Sequence, residues 1–276
     1  MILVFDIGNT ETMFGLFEAG ELLDHWRIAS DPERTIDELG LLVRALVRES
    51  GLRLDHVRGT AIASVVPPLV PVFTEMCTRH IGVSAVVIDA SSPLPIRVDF
   101  DEPLTVGADR IVNTLAASRL YGRDTIVVDL GTATTFDCIT ADGVFIGGVI
   151  APGVRTSAES LVRRTAKLPR IDLEPPDRVI GRRTEGGMRS GIFYSAVETI
   201  DGIVRRIKAE WGSEDALVVA TGGLATLVAS HCQTVDTIEP FLTLFGLDFA
   251  YRHLEESASG VRITPLKRPL RGRRVQ

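Results

Sequence analysis

The 276 residues carry a net charge of −6, with 45% apolar and 24% charged side chains and no low-complexity tract. That is the composition of an ordinary folded protein with one large or two medium domains, not of a disordered chain. The acidic balance argues against nucleic-acid binding, and no apolar run approaches membrane-spanning length, so neither nucleic acid nor membrane is an expected partner.

The N-terminus opens on a strand, Ile2 to Ile7, with no signal-like leader before it. Asp6 is embedded in that apolar run. Burying a carboxylate near a strand end is costly without a partner or a cation, so Asp6 is not there for packing. Gly8, Asn9 and Thr10 then supply a turn and donor groups. Phe14 to Phe17 and Glu21 to Ile28 read as the second and third strands, turned at Glu18-Ala19-Gly20. Thr35 to Ser50 has helical spacing of Ile36, Leu39, Leu42, Val43, Leu46 and Val47, and Gly51 stops it. Gly59 to Val65 is a strand, Leu69 to His80 a helix, Ala85 to Ile88 a strand, and 96–105 an extended acidic stretch. Gly107-Ala108-Asp109-Arg110 opens the helix Ile111 to Tyr121. Asp109 there is either a first-turn carboxylate or a functional group, and Arg110 either a surface residue or an anchor for an anionic ligand.

The plan then repeats. Thr125 to Asp129 is a strand ending in Asp129-Leu130-Gly131-Thr132, the same order of parts as Asp6-Ile7-Gly8-Asn9. A strand that ends in Asp-x-Gly plus small hydroxyl residues makes a turn able to meet phosphate oxygens, and its aspartate can hold a cation. Phe136 to Ile139 and Val144 to Ile150 follow as strands, then a helix from Val154 to Thr165. Thr184 precedes a long helix, Met188 to Trp211, where it serves as a cap or a ligand group. Ala216 to Ala220 is a strand closed by Thr221-Gly222-Gly223 before a helix from Leu224, and a last helix runs to about Glu256. The expected domains are 1–118 and 119–256, with a C-terminal extension, 257–276, that ends in a basic tail. Cys77, Cys138 and Cys232 have neither disulfide nor metal spacing and read as reduced core residues of a cytoplasmic protein. The five histidines lack ligand-spaced partners.

Two acidic phosphate loops, a Gly-Gly turn and an Asp-Arg pair supply what phosphoryl transfer needs: phosphate cradles, cation ligands and a carboxylate to take a proton. No Walker A loop, dinucleotide turn or nucleophile elbow is present, and no Ser or Cys has an evident base partner.

Six ordered stretches resemble the type III pantothenate kinases of the actin/hexokinase-like superfamily. They are Asp6-Ile-Gly-Asn-Thr10, Gly107-Ala-Asp-Arg110, Asp129-Leu-Gly-Thr-Ala-Thr-Thr-Phe136, Gly147-Gly-Val-Ile-Ala-Pro-Gly153, Arg164-Thr-Ala-Lys-Leu-Pro169 and Thr221-Gly-Gly223. The resemblance implies duplicated actin-like (ribonuclease H-like) α/β domains. Each is a mixed sheet flanked by helices, with the active site in the cleft between the two. It implies ATP-dependent phosphorylation of the pantothenate 4′-hydroxyl, the first step of coenzyme A synthesis. Carried over by position, Asp6, Ile7, Gly8, Asn9, Thr10, Glu11, Thr12 and Met13 form the first ATP loop, with Asp6 on the Mg²⁺–ATP side. Gly107, Ala108, Asp109 and Arg110 bind pantothenate. Asp109 accepts the proton, a task for which a carboxylate of ordinary pKa suffices. Asp129 holds a monovalent cation, K⁺ or NH₄⁺, and Thr132 meets ATP phosphate. Thr184 contacts pantothenate from the partner subunit of a homodimer. The loop Asp89 to Pro95 departs from the family pattern, and so does Arg183. Two other readings share the fold: a non-catalytic regulator resembling the Bvg accessory factors, and a kinase for another small hydroxyl substrate.

Overall fold

The computed structural model describes residues 1–259; the basic tail predicted from the sequence lies outside them. The chain divides into two compact units, Met1–Arg119 together with the segment from Leu242, and Leu120–Phe241.

In the first unit, β1 (Ile2–Ile7), β2 (Glu11–Glu18) and β3 (Glu21–Ala29) form an antiparallel meander. Next come α1 (Ile36–Glu49), β4 (Gly59–Ser64), α2 (Leu69–Met76), β5 (Ala85–Ile88), a two-residue strand β6 (Arg97–Val98) and α3 (Ala108–Tyr121). β4 and β5 add in parallel, giving the order β3-β2-β1-β4-β5. The alternation of a strand sends Leu3, Phe5 and Ile7 to one face, where they pack with Leu39, Val43, Phe73 and Met76 from α1 and α2. Asp6 therefore shares the opposite face with Val4. Helix α1 starts on a complete capping box: Thr35 accepts from the Glu38 N–H, and the Glu38 carboxylate accepts from the Thr35 N–H.

In the second unit β7 (Thr125–Leu130), β8 (Ala133–Ile139) and β9 (Val144–Pro152) repeat the antiparallel meander. They are followed by α4 (Val154–Arg164), α5 (Thr184–Trp211), β10 (Leu217–Thr221), α6 (Ala225–Val228) and β11 (Thr237–Ile238). β10 and β11 add in parallel, so the five strands that belong to this unit run in the order β9-β8-β7-β10-β11, which matches that of the first unit strand for strand. Ile126, Val128 and Leu130 face the core formed with α4 and α5. Asp129 occupies the place in β7 that Asp6 occupies in β1, one residue from the strand end and on the face away from that core. This is the duplicated actin-like α/β architecture.

Four elements differ from the sequence reading. The last helix, α7 (Leu242–Ser259), belongs to the first unit, not to a second domain ending at 256. It buries Leu242, Leu244, Leu247 and Ala250 completely and packs on β1, β4 and β2. Thr243 donates to Asn113 of α3 at 2.9 Å, and the Phe17 and Phe245 rings meet edge-on at 5.7 Å. The α5 helix begins at Thr184, four residues before the expected start, because the glycines at 186 and 187 stay helical. The helix expected from Leu224 is one short turn plus a 3₁₀ turn, and β11 was not foreseen because two residues give no periodicity.

Candidate active site

The first unit gathers its acidic loop and the Asp109 motif at one edge. Between β1 and β2 the chain reverses over Gly8, Asn9 and Thr10, and the Gly8 N–H donates to the Glu11 carbonyl at 3.1 Å. Asn9, Thr10 and Glu11 are exposed while Thr12 is fully buried; Asp6, Gly8 and Met13 are partly buried and Ile7 is buried. Beside this loop the Val65 N–H donates to the Ile7 carbonyl at 3.0 Å. Gly107 lies against Val65 in turn: a Cβ on it would stand 3.4 Å from the Val65 Cγ1. So β1, the end of β4 and the start of α3 bring Asp6 to Met13 and Gly107 to Arg110 together.

Asp109 is folded back over Gly107. Its Oδ1 accepts from the Arg110 N–H at 2.8 Å and occupies the space a Cβ at position 107 would need. Burial of the carboxyl pushes its pKa up; the Arg110 N–H and the Arg110 charge oppose that rise without cancelling it. The sequence argument required only an ordinary carboxylate. The structure supplies one shifted upward, because the first turn of α3 withdraws it from water.

The second unit builds its counterpart from three glycine turns. Gly131 and Thr132 are exposed at the end of β7, and Asp129 is half-buried beneath them. The Gly131 N–H donates to the Ala133 carbonyl at 3.0 Å. Gly153, at the N-cap of α4, packs directly on the carbonyls of Gly131 and Thr132, and the Thr156 hydroxyl donates to the Thr132 carbonyl at 2.7 Å. The N-terminus of an 11-residue helix therefore adjoins the loop, where its dipole favours an anion. Gly222, at φ +90°, lies against the Asp129 carboxylate and the Leu130 backbone, and the Leu224 N–H reaches the Leu130 carbonyl at 3.3 Å. Sequence reading anticipated the Gly-Gly turn but not that it closes on Asp129.

Thr184 is not drawn into this cluster by any described hydrogen bond. It is exposed at the first position of α5, and Arg183 rather than Thr184 is the N-cap, with no side-chain cap bond. The divergent loop at 89–95 is tied to itself: Asp89 accepts from the Ser91 N–H at 2.8 Å and from its hydroxyl at 2.6 Å, which holds the Asp89 pKa below the usual range. One residue that sequence reading missed altogether is Ser30, which bonds the first loop at three places. A serine after a strand carries no signal of such a role.

Among the described residues no three His, Cys, Asp or Glu side chains group as a metal cage. The available donors are isolated carboxylates beside backbone carbonyls and threonine hydroxyls. Such oxygen sets suit hard cations, with most of a Mg²⁺ shell coming from phosphate and water. The three cysteines are free, and burial pushes the Cys77 and Cys232 thiols up to about 12. No helix among the described residues is long and apolar enough to cross a membrane.

Comparison with known proteins agrees with this architecture. The chain is 46% identical over 251 residues to a type III pantothenate kinase of Moorella thermoacetica, covering 91% of this chain and 98% of that protein. It is 44% identical over 252 residues to the type III pantothenate kinase of Halalkalibacterium halodurans, covering 91% and 99%. A crystal structure from Campylobacter jejuni, of a protein assigned to the Baf family of transcriptional activators, superposes with a TM-score of 0.58 at 17% identity. It covers 93% of this chain and 99% of its own, a likeness of fold. The sequence model of the type III pantothenate kinases matches residues 2–206, and the chain belongs to that family.

Proposed function

We infer that this protein transfers the terminal phosphoryl group of ATP to the 4′-hydroxyl of pantothenate, the committed opening of coenzyme A synthesis. The observation that carries the reading is the family match, which runs through both acidic loops and the Asp109 motif. A regulator without catalysis is not favoured, since Asp6, Asp109, Arg110, Asp129 and Thr184 are all retained.

In the proposed mechanism, Gly107 to Arg110 receive pantothenate and the Arg110 guanidinium meets its carboxylate or pantoyl oxygen. Asp109 accepts the 4′-hydroxyl proton as that oxygen bonds to phosphorus and ADP leaves. The loop from Asp6 to Met13, and Thr132 beside the α4 N-terminus, hold the ATP phosphates. Asp6 would lie on the side of the Mg²⁺ that accompanies ATP, and Asp129 would hold K⁺ or NH₄⁺; these cations would offset phosphate charge. Half-burial of Asp129 under the Gly222 turn supports that assignment, since a carboxylate so placed gains from a cation.

We place the enzyme in the cytoplasm as a homodimer in which Thr184 contacts pantothenate bound to its partner. Exposure of Thr184, Val179 and Ile180 together supports a surface there that a second copy covers.

The test is ADP release from ATP and Mg²⁺, with and without pantothenate, in K⁺ and in Na⁺. Pantothenate-dependent turnover that rises with K⁺ is expected, and Asp129→Ala should lose the K⁺ response. ATP hydrolysis indifferent to pantothenate would move the reading to another hydroxyl substrate.

A further inference from the structure

The first loop owes its shape to a residue eighteen positions beyond its buried threonine. The Ser30 hydroxyl donates to the Gly8 carbonyl at 2.6 Å. Its single hydrogen is thereby committed, so in the 2.9 Å contact with Thr12 the Thr12 hydroxyl is the donor and Ser30 the acceptor. The Ser30 N–H donates to the Thr10 carbonyl at 3.0 Å. One side chain and its own amide therefore reach Gly8, Thr10 and Thr12 in a continuous chain from the Thr12 hydroxyl through Ser30 to the Gly8 carbonyl. Bonds in such a chain polarise one another.

The chemistry of the loop explains why this matters. A turn that holds an anion must present donors, and every carbonyl lone pair aimed at the anion repels it. Here the Gly8 and Thr10 carbonyls are both taken by Ser30, and the Glu11 carbonyl is taken by the Gly8 N–H. The Gly8, Thr10 and Glu11 carbonyls are thus occupied within the fold. Thr12, wholly buried, braces Ser30 from below and does not reach outward.

We propose that Ser30 is a positioning residue for the nucleotide: it holds the Gly8 and Thr10 carbonyls away from the phosphates, so that the loop accepts a polyanion. The proposal rests on the reading of Asp6 to Met13 as the ATP loop, and the experiment separates the two.

ATP affinity by calorimetry, KM for ATP and for pantothenate, and Tm are compared for wild type, Ser30→Ala, Ser30→Cys, Ser30→Thr and Thr10→Ala. Ser30→Ala is expected to weaken ATP about tenfold, the scale of one lost hydrogen bond, while leaving KM for pantothenate within about twofold. Ser30→Thr keeps the hydroxyl and is expected to restore ATP binding. Ser30→Cys, with a weak donor of similar size, is expected to fall between alanine and wild type. A purely structural serine would lower Tm and disturb both substrates alike. Wild-type ATP affinity in Ser30→Ala, with Thr10→Ala weakened, overturns the role of Ser30 and leaves the loop reading standing. Unchanged ATP affinity in both overturns the loop reading and the proposal with it. If the alanine variant does not fold, the cysteine variant decides: ATP affinity equal to wild type overturns the proposal, and a several-fold loss supports it.

Discussion

Asp109 carries a carboxyl that its surroundings push toward the neutral form, yet the role assigned to it needs the ionised one. Two consequences follow from the sign of that shift. A raised carboxyl pKa moves the acid limb of kcat/KM above the ordinary carboxylate range, because Asp109 accepts a proton only when ionised. It also means that ionising Asp109 costs stability. That cost is absent at pH below the ordinary carboxylate range and grows as pH rises through the folded pKa. Asp109→Asn removes it. The variant is expected to lose about a hundredfold or more in turnover while melting no lower than wild type near neutrality, with the difference in Tm fading in acid. Near-wild-type turnover in that variant would remove Asp109 from the base role; pH-rate and melting profiles of the two proteins measure both effects.

At the scale of single elements, the glycine turns do what no longer side chain can. Gly222 sits at φ +90°, and the place a Cβ would take there is filled by the Asp129 carboxylate and the Leu130 backbone. An added methyl is strained there by about 1–2 kcal/mol from the backbone alone, before any collision. Gly222→Ala is expected to lower Tm and to weaken the K⁺ response together, because relief requires moving Asp129; thermal melting and turnover in K⁺ against Na⁺ check this. These turns also show how far sequence carries. The two Asp-x-Gly strands were legible because a carboxylate inside an apolar run violates the packing rule that governs its neighbours. The helical spacing of α1 was legible because its cause is local. Closure of Gly222 on Asp129, the fold of Asp109 over Gly107 and the bracing by Ser30 were not. Each joins residues far apart in the chain or turns on a rotamer, and periodicity encodes neither. The start of α5 was read late because Gly186 and Gly187, poor helix formers, are overridden by the long helix they precede.

At the scale of the molecule, the proposed dimer makes a prediction that no single-chain reading shares. If each site takes Asp109 from one protomer and Thr184 from the other, Asp109→Asn and Thr184→Ala homodimers both have two impaired sites. A mixed dimer has one site with neither change. Co-expressing or refolding the two variants together is expected to recover activity, up to about half of wild type per mixed dimer. Recovery absent from a verified mixed dimer would place both residues in the same protomer's site.

The placement of α7 bears on how the chain is made. The second unit is one continuous stretch, Leu120 to Phe241, and is complete in sequence before α7 has been synthesised. The first unit precedes it in the chain but lacks the helix that buries Leu242, Leu244 and Leu247 against β1, β2 and β4 until residue 259 has left the ribosome. Translation from N- to C-terminus therefore hands the later unit its full set of contacts first, and the earlier one waits with an apolar sheet face uncovered. For this protein the usual order of birth is reversed: the part translated first is the last that is able to finish folding, and its exposed face is where a nascent-chain chaperone has something to hold.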